Sequence, residues 1–207
     1  MRTRMTSARD GDSRSVPERA ASTETPPPRA GRCPPEMLAR MQANDVLMLL
    51  TALDELGVSY WLDGGWGVDC LVGVQTRVHS DLDLVVHRQD VDTVAVHLSA
   101  HGYDVIRDWL PTSIAFGDRS GRQVDLHPVD PTPDGGGDQV LPDEEGTWHY
   151  SPPVEGSLHG RSIRCASAQD QVLMHTGYPP RAVDVEDVRR LAERFDVQLP
   201  EPFTRTD

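Results

Sequence analysis

Between Tyr60 and His87 the chain reads "YWLDGGWGVDCLVGVQTRVHSDLDLVVH", and few folds accept that order. An apolar run, "VSYWLD", ends on two glycines. A brief helical segment follows as far as Gly73, and a second strand-like run, "DLDLVVH", carries Asp81 and Asp83 two residues apart. Two is the strand period, so both carboxylates face one side and Leu82, Leu84 and Val86 the other. Like charges roughly 7 Å apart repel and lose hydration, and a divalent cation between them removes that cost. Mg²⁺ binds oxygen at about 2.0–2.1 Å and commonly takes one or two carboxylates plus substrate phosphates.

The glycines fit the same picture. Without a Cβ, Gly64 and Gly65 let the backbone turn sharply and come close to a phosphate. The helix expected to begin near Trp66 offers unpaired N–H groups and a positive dipole end. Arg77 supplies a guanidinium fork, and His79 lies near the carboxylate pair. Asp125, in the later run "RQVDLHPV", can complete a second metal site or take a proton from an attacking hydroxyl. Together these suit a nucleoside triphosphate held as its magnesium complex. Each part has an ordinary counterpart: surface acids for Asp-x-Asp, a turn for Gly-Gly, a structural acid for Asp125. Trp66 reads as partly core, Asp69 as either a partner for Arg77 or a first-turn acid, and His97 and His101 as helix-surface histidines. The joint pattern is what carries the reading.

Composition narrows the classes. The net charge is -13, which disfavours sequence-independent nucleic-acid binding and suits a cationic ligand or plain solubility. All 20 basic residues are arginine, so a Walker A lysine and a Schiff-base lysine are both excluded. Cys33, Cys70 and Cys165 form no C-x-x-C pair, which fits a reducing cytoplasm and no zinc ribbon. No run approaches the roughly 18 apolar residues of a membrane span. Residues 1–35 are rich in Arg, Ser and Pro and read as a disordered extension rather than a secretory signal, with Met37 as an alternative start. The domain is expected over 36–200, with a tail at 201–207.

Periodicity predicts a helix from Asn44, capped by Asn44 or Asp45, with Val46, Leu49, Leu50, Leu53 and Leu56 inward and Gly57 as its end. After the brief helix ending at Gly73, a third runs from an Asp90 cap to Gly102. Strands follow at "YDVIRDWL", "TSIAFGD" and "RQVDLHPV". Residues 130–147, rich in Pro, Gly and Asp, read as a loop. "SLHGRSIRC" reads as a hairpin, and "SAQDQVLMHTGY" (Ser167 cap) and "VDVEDVRRLAERF" as closing helices. The expectation is an α/β chain: a small mixed sheet flanked by helices.

"YWLDGGWGVDCLVGVQTRVHSDLDL" resembles the lincosamide nucleotidyltransferases, and its Gly-Gly-Trp, Arg-x-His and Asp-x-Asp core is shared with aminoglycoside 2''-nucleotidyltransferases. "HGYDV", "WLPTSIAF", "VDLHPV" and "IRCASAQDQVLMHTGY" extend the likeness over roughly residues 44 to 195. The resemblance implies a nucleotidyltransferase (polymerase-β-like) fold with C-terminal helices. It implies that Asp81 and Asp83 bind Mg²⁺, that Asp125 is the catalytic base and a ligand of a second ion, and that Gly64, Gly65, Trp66, Arg77 and His79 hold the triphosphate of ATP. It places His127, His175 and Tyr178 towards a small-molecule antibiotic acceptor. It implies AMP transfer to an acceptor hydroxyl with release of pyrophosphate, in a cytoplasmic enzyme that forms a homodimer, with no nucleic-acid or membrane partner. The long N-terminal extension and the Gly-rich 130–147 segment depart from the family pattern and bear on acceptor identity. The competing acceptor is an aminoglycoside, for which "PDEEG" at 142–146 could add acids. Two other classes compete: a non-catalytic nucleotide-binding or antitoxin-like module, which could dispense with Asp125, and a glycosyltransferase, which would release a nucleoside diphosphate instead.

Overall fold

The computed structural model of the chain describes residues 41–142 and 146–204. The expected extension 1–35, Met37 and the acids Asp143, Glu144 and Glu145 lie outside them. Helix α1 (Ala43–Glu55) buries Ala43, Val46, Leu50 and Leu53 along one stripe. Its cap is Gln42, not Asn44 or Asp45; Asp45 instead accepts the Gln42 backbone N–H at 2.9 Å. Strand β1 (Tyr60–Asp63) runs straight into α2 (Gly64–Val72), which starts at the first glycine rather than near Trp66 and stops at the left-handed Gly73. Then come β2 (Asp81–His87), a 3₁₀ turn at Arg88–Asp90 and α3 (Val91–Ala100). Asp90 is already helical and makes no side-chain cap.

Strands β3 (Tyr103–Trp109), β4 (Ser113–Asp118) and β5 (Gln123–Pro131) form an antiparallel meander. The segment expected to be a loop instead holds β6 (Gly137–Val140), with β7 (Thr147–Tyr150) after it. The hairpin is β8 (Val154–Leu158) and β9 (Arg161–Cys165), followed by α4 (Ala168–Met174) and α5 (Ala182–Arg194). Among the described residues the strands make one mixed sheet, ordered β3-β4-β5-β2-β1-β9-β8, with β6 on the far half of β5 and β7 beyond it. β1 is antiparallel to β2, and β2 is parallel to β5.

The strand period sorts the sheet into two faces. Leu62, Leu84 and Leu126 are fully buried with α1, α2 and α3 residues in the main core, each contributing about 1.5–3 kcal/mol. On the opposite face Trp61, Val85 and Val129 pack with Tyr150 and Ala166 into a smaller cluster. The strand residues alternating with this cluster on that face are Asp63, Asp81, Asp83, Asp125 and His127. No helix of the described residues is long and apolar enough to cross a membrane.

Candidate active site

Register builds the site. Asp63 on β1 lies opposite Asp83 on β2, and Asp83 lies opposite Asp125 on β5, so three carboxylates form a row across adjacent strands. Asp81 sits one period along β2 on the same face. The burial of Asp83 raises its carboxyl above the usual range; the His127 hydrogen bond opposes this, and the charges on Asp81 and Asp125 reinforce it. The His127 Nε2 lies 3.5 Å from Asp83 Oδ1. Burial works against the His127 imidazolium, but its bond to Asp83 and the charges of Asp83, Asp63 and Asp125 prevail and lift it above the ordinary histidine range. Gln139 Nε2 donates to the Thr112 carbonyl at 2.8 Å, which orients the amide, and lies 3.3 Å from His127 Nδ1.

Both glycines are required by contact, and Gly64 by conformation as well. Gly64 has φ 58°, and a Cβ there would stand 2.1 Å from Asp83 Oδ2. At Gly65 a Cβ would stand 2.4 Å from Arg77 Nη2 and 2.5 Å from His79 Nδ1. Asp63, which the sequence alone does not single out, holds this corner. Its Oδ1 accepts the Gly64 N–H and its Oδ2 the Tyr150 hydroxyl, both at 2.9 Å. Burial and the Asp63 charge push the Tyr150 phenol well up, so it remains a donor. In the sequence Asp63 is marked only by its place immediately before the glycines.

Around these residues lies a cleft of about 250 Å³ lined by Asp63, Gly64, Gly65, Arg77, Ser80, Asp81, Asp83, His127, His175, Tyr178 and Arg181. Beside it, a pocket of about 1110 Å³ is walled by Trp109, Leu110, Pro111, Leu141 and Met174 with Arg107 and Gln139. His127, Met174 and Tyr178 line both. His175 is buried, its Nε2 without a protein partner, and burial holds it below the ordinary imidazole range against the pull of Asp184, Asp187 and Asp63. The expected acceptor trio His127, His175 and Tyr178 is therefore gathered at the cleft.

Two expectations are corrected. Trp66 and His79 do not line the cleft. Both are 1% exposed, their rings tilted by 37° with centroids 4.5 Å apart behind the glycines, where Trp66 is core. Asp69 does not orient Arg77: it holds His79 Nε2 at 2.5 Å and the Thr76 backbone N–H at 3.0 Å. Arg77 pairs instead with the buried Asp187 of α5 at 2.9 Å. Asp125 also departs from the simple picture. Its Oδ2 accepts Arg107 Nη2 at 2.7 Å, and its Oδ1 is buried without a partner. No set of three His, Cys, Asp or Glu side chains closes around a single point among the described residues.

A glycine corner and a row of carboxylates on one face of a mixed sheet place the chain among the nucleotidyltransferases, and solved structures of that class share its fold. The lincosamide antibiotic adenylyltransferase LnuA, crystallised with lincomycin, superposes with a TM-score of 0.69 at 30% identity, covering 76% of this chain and 100% of that one. ANT(2'')-Ia in complex with adenylyl-2''-tobramycin matches in fold, with a TM-score of 0.55 at 20% identity over 73% of this chain and 88% of that one. A lincosamide resistance protein of Staphylococcus haemolyticus is 32% identical over 149 residues, 71% of this chain and 92% of the relative. The chain belongs to the aminoglycoside-2''-adenylyltransferase family, whose model matches residues 45–191. It is a nucleotidyltransferase enzyme of the antibiotic-resistance kind.

Proposed function

We propose that the enzyme transfers AMP from MgATP to a hydroxyl of a lincosamide such as lincomycin or clindamycin. The observation that carries the acceptor reading is the large pocket opening off the glycine cleft. Its described walls are Trp109, Leu110, Pro111, Leu141 and Met174, with no carboxylate among them. A lincosamide presents alkyl surface and a single basic amine to such walls. A polycationic aminoglycoside has little apolar surface to bury and would want acids there. The lincomycin-bound LnuA likeness supports the same choice.

In this reading Gly64 and Gly65 let the triphosphate approach the backbone, and Arg77 and Arg181 line the same cleft. His79, held by Asp69, supports Gly65 from behind. The acceptor hydroxyl, seated between His127 and Tyr178, gives its proton to Asp125 as its oxygen bonds to the α-phosphorus. The bond from that phosphorus to the bridging oxygen breaks, and pyrophosphate leaves. The donor set suits Mg²⁺: hard oxygens of Asp81, Asp83 and Asp125, and a repulsion at Asp83 that a cation would relieve. When bound there, the ion neutralises charge developing on the phosphates. The reading extends to a cytoplasmic enzyme and a homodimer.

Incubation with MgATP and each of lincomycin, clindamycin and tobramycin, read by mass spectrometry, tests it. One added AMP unit is expected on the two lincosamides only. Addition to tobramycin alone would transfer the assignment to an aminoglycoside acceptor, and addition to none would remove both.

A further inference from the structure

The residue that holds the proposed base reaches it from two strands away. Arg107 on β3, Ala115 on β4 and Asp125 on β5 are register neighbours in one row. Two strand spacings, about 9–10 Å, must be crossed. The fully buried Ala115 is small enough to leave that path open. The strand is also shifted to achieve it. The β3–β4 register slips between Val105, opposite Phe116, and Arg107, opposite Ala115, so Ile106 is the extra residue of a bulge. In a regular strand residues 105 and 107 share a face; the bulge turns Arg107 onto the carboxylate face instead. There its guanidinium carbon lies 4.7 Å from the centroid of the Trp109 ring, and its Nη2 donates to Asp125 Oδ2 at 2.7 Å. Asp125 Oδ1 is left buried with no partner. Arg107 and Trp109 also line the large pocket beside the cleft.

We propose that Arg107 is a positioning residue for this reaction: it clamps one oxygen of Asp125 so that the other is presented to the acceptor hydroxyl, and the β3 bulge exists to aim it. Trp109 supports the guanidinium through its ring face, and an acceptor in the pocket packs against both. The inference rests on Asp125 as the base, and its test separates the two claims.

The test compares the full chain with Arg107→Ala, Arg107→Lys, Asp125→Asn and the Arg107→Ala/Asp125→Asn double variant, measuring kcat, KM for ATP and KM for lincomycin, with melting curves for each. Arg107→Ala should lower kcat at least tenfold with KM for ATP within twofold of the parent, and millimolar guanidinium should restore part of the lost turnover. The double variant should be no slower than Asp125→Asn, because the clamp acts only through that carboxylate. Arg107→Lys keeps the charge and stem but offers no planar fork. It should fold like the parent and still lose at least threefold in kcat, which keeps the test decisive should the alanine variant not fold. A parent-like kcat in Arg107→Lys and in a folded Arg107→Ala overturns the proposal while Asp125→Asn stays inactive. Full turnover in Asp125→Asn would instead remove the base assignment beneath it.

Discussion

Gly64 shows how much of this site is decided by one missing atom. Its backbone is left-handed, with φ 58°, which costs a side-chain-bearing residue about 1–2 kcal/mol. A methyl group would in addition meet the Asp83 carboxylate, not a movable side-chain tip on the surface. Gly64→Ala should therefore lower the melting temperature and abolish adenylyl transfer together, because relief of the clash means displacing Asp83 or unwinding the start of α2. A variant with parent-like turnover would show that the corner is not part of the site. The requirement for glycine here was visible in the sequence, since Gly-Gly between a strand and a helix has few uses. The partnership of Asp69 was not. Asp69 precedes Arg77 and His79 by eight and ten residues, and both offer it a donor. Only the turn between α2 and β2 decides that His79 faces inward while Arg77 reaches to a helix more than a hundred residues later.

Among elements, β1, β2, β5 and the two closing helices were legible because their own patterning announces them: Leu82, Leu84 and Val86 alternate with acids, and α5 carries an amphipathic stripe. Strands β6 and β7 were not. Each is four residues long, and β6 lies among glycines that normally signal a loop. Those glycines answer to contact instead. A Cβ at Gly136 would meet the Tyr150 carbonyl at 2.1 Å, and one at Gly137 the Val129 side chain at 2.6 Å. The flap they form carries Gln139 to His127, so its stability bears on the pocket. It is pinned by His149, whose Nδ1 pairs with Asp138 at 2.7 Å across the ladder and whose Nε2 pairs with Asp134 at 3.0 Å. The Asp138 bond is the main cause that raises His149 above the ordinary value near 6.5, with Asp134 adding to it. A raised folded value means that the stabilisation is complete below the unfolded value and fades as pH climbs through the folded one. The NMR titration midpoint of His149 should accordingly lie above that of an exposed histidine and fall in Asp138→Asn. A midpoint that ignores this substitution would mean the pair does not persist in solution.

Across the whole described chain, the side of the cleft proposed for the phosphates depends on α5. Arg77 follows α2, yet what holds it is Asp187, one turn into a helix near the other end of the chain. Asp187 is 1% exposed, contacts both Arg77 and Arg190, and so cannot lose its charge without leaving two guanidinium groups to find other partners. Sequence periodicity identified α5 as an amphipathic helix but could not say that a carboxylate on its buried stripe was meant for Arg77. That pairing exists only once the sheet has brought the two ends together. The consequence for function is specific. Arg77 lines the cleft where the triphosphate is proposed to bind, so freeing it restores rotamer entropy that binding must then remove. A charge-assisted hydrogen bond is worth about 1.5–3 kcal/mol, and losing even the lower part of that from nucleotide binding corresponds to about tenfold in affinity. Asp187→Asn should thus raise KM for ATP by about that factor while leaving KM for lincomycin within twofold, because the apolar pocket contacts neither residue. An equal loss for both substrates, or for neither, would show that α5 supports the fold in general and not the nucleotide seat in particular.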